Sequence, residues 1–213
     1  MHAATPYIRD LVFVGGGHAH ALVLRQWAMR PLPGVRVTVI DPTPVTAYSG
    51  MLPGFVAGHY PMAALEIDLV KLARRANARL IMAPAVGLDP VARQVDVPGR
   101  APIRYDVASL DVGITARMPD LTGFTEFAIP AKPLGLFAQR WEAFVTRVST
   151  GELPPQVTMI GGGIAGVELA LTMHHRLTHV ARRSVEITVL DRGTALPGVS
   201  ARSQKILRDA MQA

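Results

Sequence analysis

Val157–Gly166 reads VTMIGGGIAG, four strand-prone residues followed by a glycine triplet and then by a run with helical character. Gly161, Gly163 and Gly166 satisfy the spacing G-x-G-x-x-G. The first glycine permits a tight turn, the second lets backbone approach a diphosphate, and the third lets helix and strand pack closely. A helix starting at Ile164 presents unpaired N–H groups and a partial positive charge to such an anion, so the amides around Ile164 and Ala165 are candidate ligands. Val185–Leu190 (VEITVL) predicts the next strand. It is closed by Asp191, placed where a carboxylate accepts hydrogen bonds from an adenosine ribose. The competing reading is a plain glycine turn that happens to precede a helix.

The same script opens the chain. Asp10–Val14 (DLVFV) predicts a buried strand running into Gly15-Gly16-Gly17, and Ala19 to Met29 predicts a helix ended by Pro31, Pro33 and Gly34. Val35–Ile40 (VRVTVI) is then a strand closed by Asp41, the second ribose candidate. Gly15 and Gly17 keep their places in this copy, with His18 and Ala19 at the helix start, but His20 stands where the third glycine belongs. A histidine there is expected to push the helix off the strand, or to turn its ring outward to solvent or ligand. Two such βαβ units in one chain point to two dinucleotides, which in redox chemistry means a flavin and its nicotinamide reductant.

Between the copies, residues 43–61 lack periodicity and are rich in Pro, Gly, Tyr and Ser. A loop of that length is expected to be functional or disordered, and its aromatics argue for packing. Glu66–Asn77 predicts a helix, Leu80–Met82 and Arg93–Val97 short strands, and Asp106–Val112 a strand ending at Gly113. Lys132 to Val148 predicts an amphipathic helix carrying Phe137, Trp141 and Phe144. GELPP at 151–155 marks a boundary between residues 1–151 and 152–213. After Asp191 a single helix over Ser203–Met211 is expected. Two strands cannot bury both faces of their own sheet, so the expected fold is α/β with two parallel-sheet, Rossmann-like units in tandem, truncated at the C-terminus.

Composition narrows the classes. Of 213 residues, 49% are hydrophobic and 18% charged, a globular balance that argues against disorder. The net charge of +6 comes almost wholly from arginine, with Lys71, Lys132 and Lys205 the only lysines. These bases are scattered without an aromatic-rich motif, so nucleic acid is not an expected partner. Absence of cysteine from the sequence removes thiolate metal sites and any dithiol relay. His18 and His20 point to opposite helix faces. His175 and His179 have shared-ligand spacing but no third partner, so no metal is expected. No run approaches the ~20 apolar residues of a membrane span, and the expected location is the cytoplasm, at most peripheral to the inner membrane.

Two units with Tyr105–Thr115 (YDVASLDVGIT) between them resemble the two-dinucleotide-binding-domain flavoproteins. The resemblance covers nearly the whole chain. It implies that residues 1–151 are the N-terminal part of an FAD-binding domain and 152–213 the first part of an inserted NAD(P)H-binding domain. Asp111-Val112-Gly113 stands at the family's Ala-Thr-Gly turn, a departure at the first two positions. GGGHAH at 15–20 and AYSGMLPG at 47–54 look closest to the type II NADH dehydrogenase-like branch, including the kind sometimes fused to selenide, water dikinase.

The resemblance suggests further contacts. Ser49, Gly50 and Met51 line the flavin ring or merely cover the sheet, and Gly113 lies beside the cofactor. Lys132 reaches the isoalloxazine or is an exposed lysine at a helix start. Glu168 reaches toward nicotinamide or complements its helix N-terminus. Asp191 disfavours a 2′-phosphate and Arg192 favours one, which tips the expectation toward NADH. No protein nucleophile is expected, because the flavin carries the chemistry from NAD(P)H to a quinone or another small acceptor. The family's closing Gly-Asp segment and C-terminal region do not appear, which implies weak flavin binding and poor activity in these 213 residues. The alternative is a non-catalytic nucleotide-binding or redox-sensing module.

Overall fold

The computed structural model describes residues 6–113, 121–181 and 183–212. The chain packs into two compact units, one of Met1–Tyr48 with Glu66–Thr115 and one of Ser49–Leu65 with Ala116–Ala213.

In the first unit, strand β1 (Arg9–Val14) leads through the glycine triplet into helix α1 (His18–Met29), which returns to strand β2 (Val35–Asp41). A small antiparallel pair follows, β3 (Val45–Ala47), with β4 (Glu66–Asp68) after the excursion into the other unit. Helix α3 (Leu69–Arg75) begins where the Asp68 carboxylate accepts the Lys71 N–H at 2.8 Å, a side-chain cap. Strand β5 (Arg79–Met82), the antiparallel meander β6 (Gly87–Asp89), β7 (Gln94–Asp96) and β8 (Ile103–Arg104), and β9 (Val107–Leu110) complete the unit.

The parallel sheet runs β5-β2-β1-β9, with Val14 opposite both Ile40 and Leu110. Successive side chains of a strand point to opposite faces. Val12, Val14 and Ile40 therefore meet Val95, Val97 and Ile103 of the meander, while Phe13, Val37 and Val39 meet Leu24 of α1 and Ala76 after α3. Burial on both faces explains the unbroken apolar run of β1.

In the second unit a single helical turn at Ser49–Met51 precedes the short helix α2 (Leu52–Val56). After a further short helix, α4 (Phe124–Phe127), come α5 (Leu134–Ser149), β10 (Gln156–Ile160), α6 (Ile164–Val180), β11 (Glu186–Leu190) and α7 (Ala201–Gln212). The stripe Phe137, Trp141, Val145 and Val148 of α5 packs with Phe55 and Val56 of α2 and with Leu169, Met173 and Leu177 of α6. The Trp141 indole N–H donates to the Val56 carbonyl at 3.1 Å. β10 and β11 pair in parallel, and residues along each alternate between exposed and half-buried. One face of this pair is covered.

The structure differs from the sequence expectations in several elements, among them β6, β8 and α4, which were not expected. The helix expected over 66–77 is split, because Glu66–Asp68 pairs with β3 and helix begins only at Leu69. The unperiodic stretch 43–61 holds β3, a helical turn and α2, whose Leu52, Phe55 and Val56 are buried in the second unit's core. The apolar stripe of α5 finds its partners on α2 and α6, so these three helices share one compact unit.

Candidate functional site

Both glycine triplets form the bend between a parallel strand and a helix, and the two bends share their bonding. In the first, Gly15 has φ +87° and its N–H donates to the Ile40 carbonyl at 2.8 Å; in the second, Gly161 has φ +111° and donates to Leu190 at 2.8 Å. Such positive φ values are glycine territory. The Gly16 N–H donates to Asp41 Oδ2 at 2.7 Å, and the Gly162 N–H donates to Asp191 Oδ2 at 2.7 Å. The other oxygen of each acid turns the following loop, accepting Thr43 N–H at 2.8 Å or Gly193 N–H at 2.8 Å. Each acid thus ties the end of its strand to the glycine bend next to it. The N–H groups of Gly162, first, and Gly193 hold the Asp191 carboxyl below the usual carboxylate range.

Neither helix has a cap from its own N-cap glycine, Gly17 for α1 and Gly163 for α6. At α6 the first-turn amides of Ile164, Ala165 and Gly166 have no acceptor among the described residues. A Cβ placed on Gly161 or Gly163 meets nothing within 4 Å, whereas one on Gly166 falls 2.0 Å from the Gly161 carbonyl oxygen. The third glycine is therefore the close-approach position, and the space above the bend is open. Open amides, open space and an acid at the strand end fit a dinucleotide diphosphate and ribose.

At α1 the corresponding donors are engaged. Asp111, just beyond β9, accepts from the Ala19 N–H at 3.0 Å and the His20 N–H at 3.3 Å through Oδ2. Its backbone carbonyl accepts the Gly17 N–H at 3.2 Å. A Cβ on Gly17 falls 2.3 Å from the Asp111 carboxyl, and one on Gly15 falls 2.2 Å from the Asp111 carbonyl oxygen. The first bend fits a diphosphate only with that carboxyl moved aside.

His20 corrects the sequence expectation of a ring turned outward. It is 3% exposed and stacks on Phe13 with ring centroids 4.5 Å apart. Nδ1 lies 2.7 Å from the Gly15 carbonyl and Nε2 lies 2.9 Å from Ser109 Oγ. A carbonyl oxygen only accepts, so Nδ1 carries the proton and donates. The imidazole meets the same carbonyl that bare glycine backbone approaches in the second copy.

The remaining candidates are scattered. His18 and Ala19 are exposed at the start of α1, with the His18 ring 5.6 Å from that of Tyr48. Gly113 is exposed, with φ +72° and, among the described residues, nothing within 4 Å of its missing Cβ. Ser49, Gly50 and Met51 form the helical turn of the second unit, Lys132 is half-buried before α5, and Glu168 is exposed on α6. The His175 and His179 rings lie tilted at 50° with centroids 4.3 Å apart, and no group of three potential metal ligands occurs among the described residues.

Sequence reasoning missed three residues at the bends. Leu196, fully buried with φ +65°, donates its N–H to the Gly162 carbonyl at 2.7 Å; Ser109 is the partner of His20; Asp111 caps α1. For Asp111 a signal existed in the departure from Ala-Thr-Gly. Leu196 and Ser109 carried none.

Comparison with known proteins places this geometry. A family profile described as pyridine nucleotide-disulphide oxidoreductase matches residues 9–213. The NADH dehydrogenase-like protein YutJ of Bacillus subtilis (strain 168) is 24% identical over 196 residues, covering 89% of this chain and 50% of that protein. The sulfide:quinone oxidoreductase of Aquifex aeolicus superposes with a TM-score of 0.73 at 20% identity, over 96% of this chain and 49% of its own. NDH2 from Plasmodium falciparum, in complex with NADH, superposes with a TM-score of 0.72 at 14% identity, over 95% and 46%. These structures share the fold. The chain spans about half the length of the relatives it matches.

Proposed function

Since the chain belongs to the pyridine nucleotide-disulphide oxidoreductase family, we propose that it forms the nucleotide-binding part of a flavin oxidoreductase of the NADH dehydrogenase-like kind. Electrons pass from NAD(P)H through FAD to a small acceptor, with a quinone as the finer assignment. The observation that carries this reading is the open second bend: unengaged amides at the start of α6 beside a bend anchored by Asp191.

The residues divide the work as follows. Gly161 and Gly163 leave room for the NAD(P)H diphosphate, Ile164, Ala165 and Gly166 offer it N–H groups, and Asp191 accepts from the ribose hydroxyls. Gly15, Gly17, His18, Ala19 and Asp41 form the matching cradle for FAD in residues 1–151, and 152–213 begin the NAD(P)H-binding domain. Ser49, Gly50, Met51, Gly113 and Lys132 are assigned to the flavin's surroundings, and Glu168 to the nicotinamide's. FAD supplies the hydride-accepting ring when bound. These residues contain no thiol, so a dithiol relay drawn from them is not part of the reading.

Among the described residues no helix is long and apolar enough to cross a membrane. The proposal places the protein in the cytoplasm, in peripheral contact with a membrane where the acceptor is a quinone.

These 213 residues alone are expected to be poorly active, so the test is to load the full-length protein with FAD and add NADH without oxygen. Bleaching of the flavin's visible absorbance, weakened by Asp191→Ala, is expected; bound nucleotide without bleaching overturns the enzyme reading. That second outcome favours a non-catalytic nucleotide-binding module, and the Asp111 carboxylate seated on the α1 amides is the observation on its side.

A further inference from the structure

The two bends are built alike and differ in what stands at the helix start. At α6 the first-turn N–H groups are open; at α1 two of them are bonded to an anion belonging to the chain itself. The glycine that keeps space for a ligand's phosphate, Gly17, faces the Asp111 carboxyl instead, with only 2.3 Å between that group and a hypothetical Cβ. A carboxylate and a phosphate are recognised by the same N–H fork and repel each other when they share it.

We propose that Asp111 sets the nucleotide affinity of the first bend by competing, through its side-chain carboxylate, with a dinucleotide diphosphate for the amides of Ala19 and His20. The inference rests on the reading of this bend as the FAD site.

Exchange needs little rearrangement. β9 is held to the bend by the Asp111 backbone, whose carbonyl accepts the Gly17 N–H and whose own N–H donates to the Val14 carbonyl at 2.8 Å. Those bonds survive a rotation of the side chain. Val112 and Gly113 beside it are exposed, and no atom of the described residues lies within 4 Å of a Cβ at Gly113, which leaves room among them for the carboxyl to swing out. Asp111 thereby caps α1, and cofactor binding must first displace a charge-assisted bond pair. Asp111 acts on the cradle and takes no part in hydride transfer.

The experiment is calorimetric titration of the 213-residue chain and its Asp111→Ala and Asp111→Asn variants with FAD, and separately with NADH, each with and without Mg²⁺. Both variants are expected to bind FAD on the order of tenfold more tightly, as removal of a nearby like charge implies. NADH affinity at the second bend should stay within about twofold, since Asp111 lies in the other compact unit. Asp111→Asn preserves the shape of the side chain and serves if Asp111→Ala unfolds, with circular dichroism as the check. Equal or weaker FAD binding by a folded variant overturns the competition. So does FAD binding that requires Mg²⁺ in the unsubstituted protein and is lost in the variants, because the carboxylate is then a cation ligand. If no form binds FAD while all bind NADH, the assignment of the first bend to FAD fails, and the competition with it.

Discussion

At Gly15 and at Gly161 the backbone makes the same turn with the same partners, yet the surroundings of the two turns are unlike. The first lies under the carbonyl and carboxyl of Asp111 at the end of a third parallel strand; the second, in a sheet of two described strands, has open space at both of its outer glycines. The third glycine position diverges as well. Gly166 is bare because its Cβ would strike the Gly161 carbonyl, while His20 reaches the equivalent carbonyl with a ring nitrogen. Each glycine of the motif answers to a particular neighbour, so the motif degrades one position at a time. A degenerate copy can still fold.

The largest expected contrast lies at the first glycine. Gly15→Ala combines positive φ with a clash against backbone, and should destabilise the first unit by about 4 kcal/mol. Gly161→Ala meets no atom and should cost only about 1–2 kcal/mol of conformational strain. Urea titration of each variant measures both. Equal effects would break the distinction between a covered bend and an open one.

Next is the third position. His20→Gly, which completes the motif, should destabilise by about 3 kcal/mol, because it removes a buried ring from Phe13 and leaves the Gly15 carbonyl and Ser109 hydroxyl to find other partners. A more stable His20→Gly variant in thermal melts would mean the helix closes onto the strand as freely as at Gly166.

A pH titration sharpens the comparison of the acids. The carboxyl of Asp191 sits below its ordinary value through the Gly162 and Gly193 N–H groups. Its folded state favours the charged form, so the contribution is complete above the unfolded value of about 4 and is lost as pH falls through the lowered folded value. NADH binding and thermal midpoint should both fall in that window, and Asp191→Asn should flatten the fall. An unchanged acid limb in Asp191→Asn would remove this carboxyl as the anchor of the second bend.

The smallest effect belongs to the middle of the cradle. Gly163→Ala adds a methyl to open space at an ordinary φ, so stability should change by less than about 0.5 kcal/mol while nucleotide affinity drops. Gly17→Ala, by contrast, should expel the Asp111 carboxyl from its seat. Thermal melts beside nucleotide titrations separate the two.

Much of this frame was legible beforehand because it is local. Strand, triplet, helix, strand and acid lie within one short stretch in each copy, and the glycines announce the bends. What stayed hidden depends on residues distant in sequence. Asp111 stands 92 positions beyond Ala19 in sequence although β9 lies beside β1, and His20 finds its hydroxyl partner on β9, so neither contact leaves a periodic trace. The segment at 43–65 was obscure for another reason. Its short elements are held by tertiary packing, with α2 fixed against α5 and α6 by burial of Leu52, Phe55 and Val56. Strands β6 and β8 are too short to show alternation.

The imidazole wedged between Gly15 and Ser109 also bears on how such a site can change over generations. Glycine at position 20 would leave the Gly15 carbonyl and the Phe13 ring without the contacts the imidazole now makes. A serine on β9 gains its buried partner only after the ring has arrived. The two side chains depend on each other: changing either alone leaves a hole or an orphaned hydroxyl. Descendants of this chain are therefore expected to keep both or to replace both together.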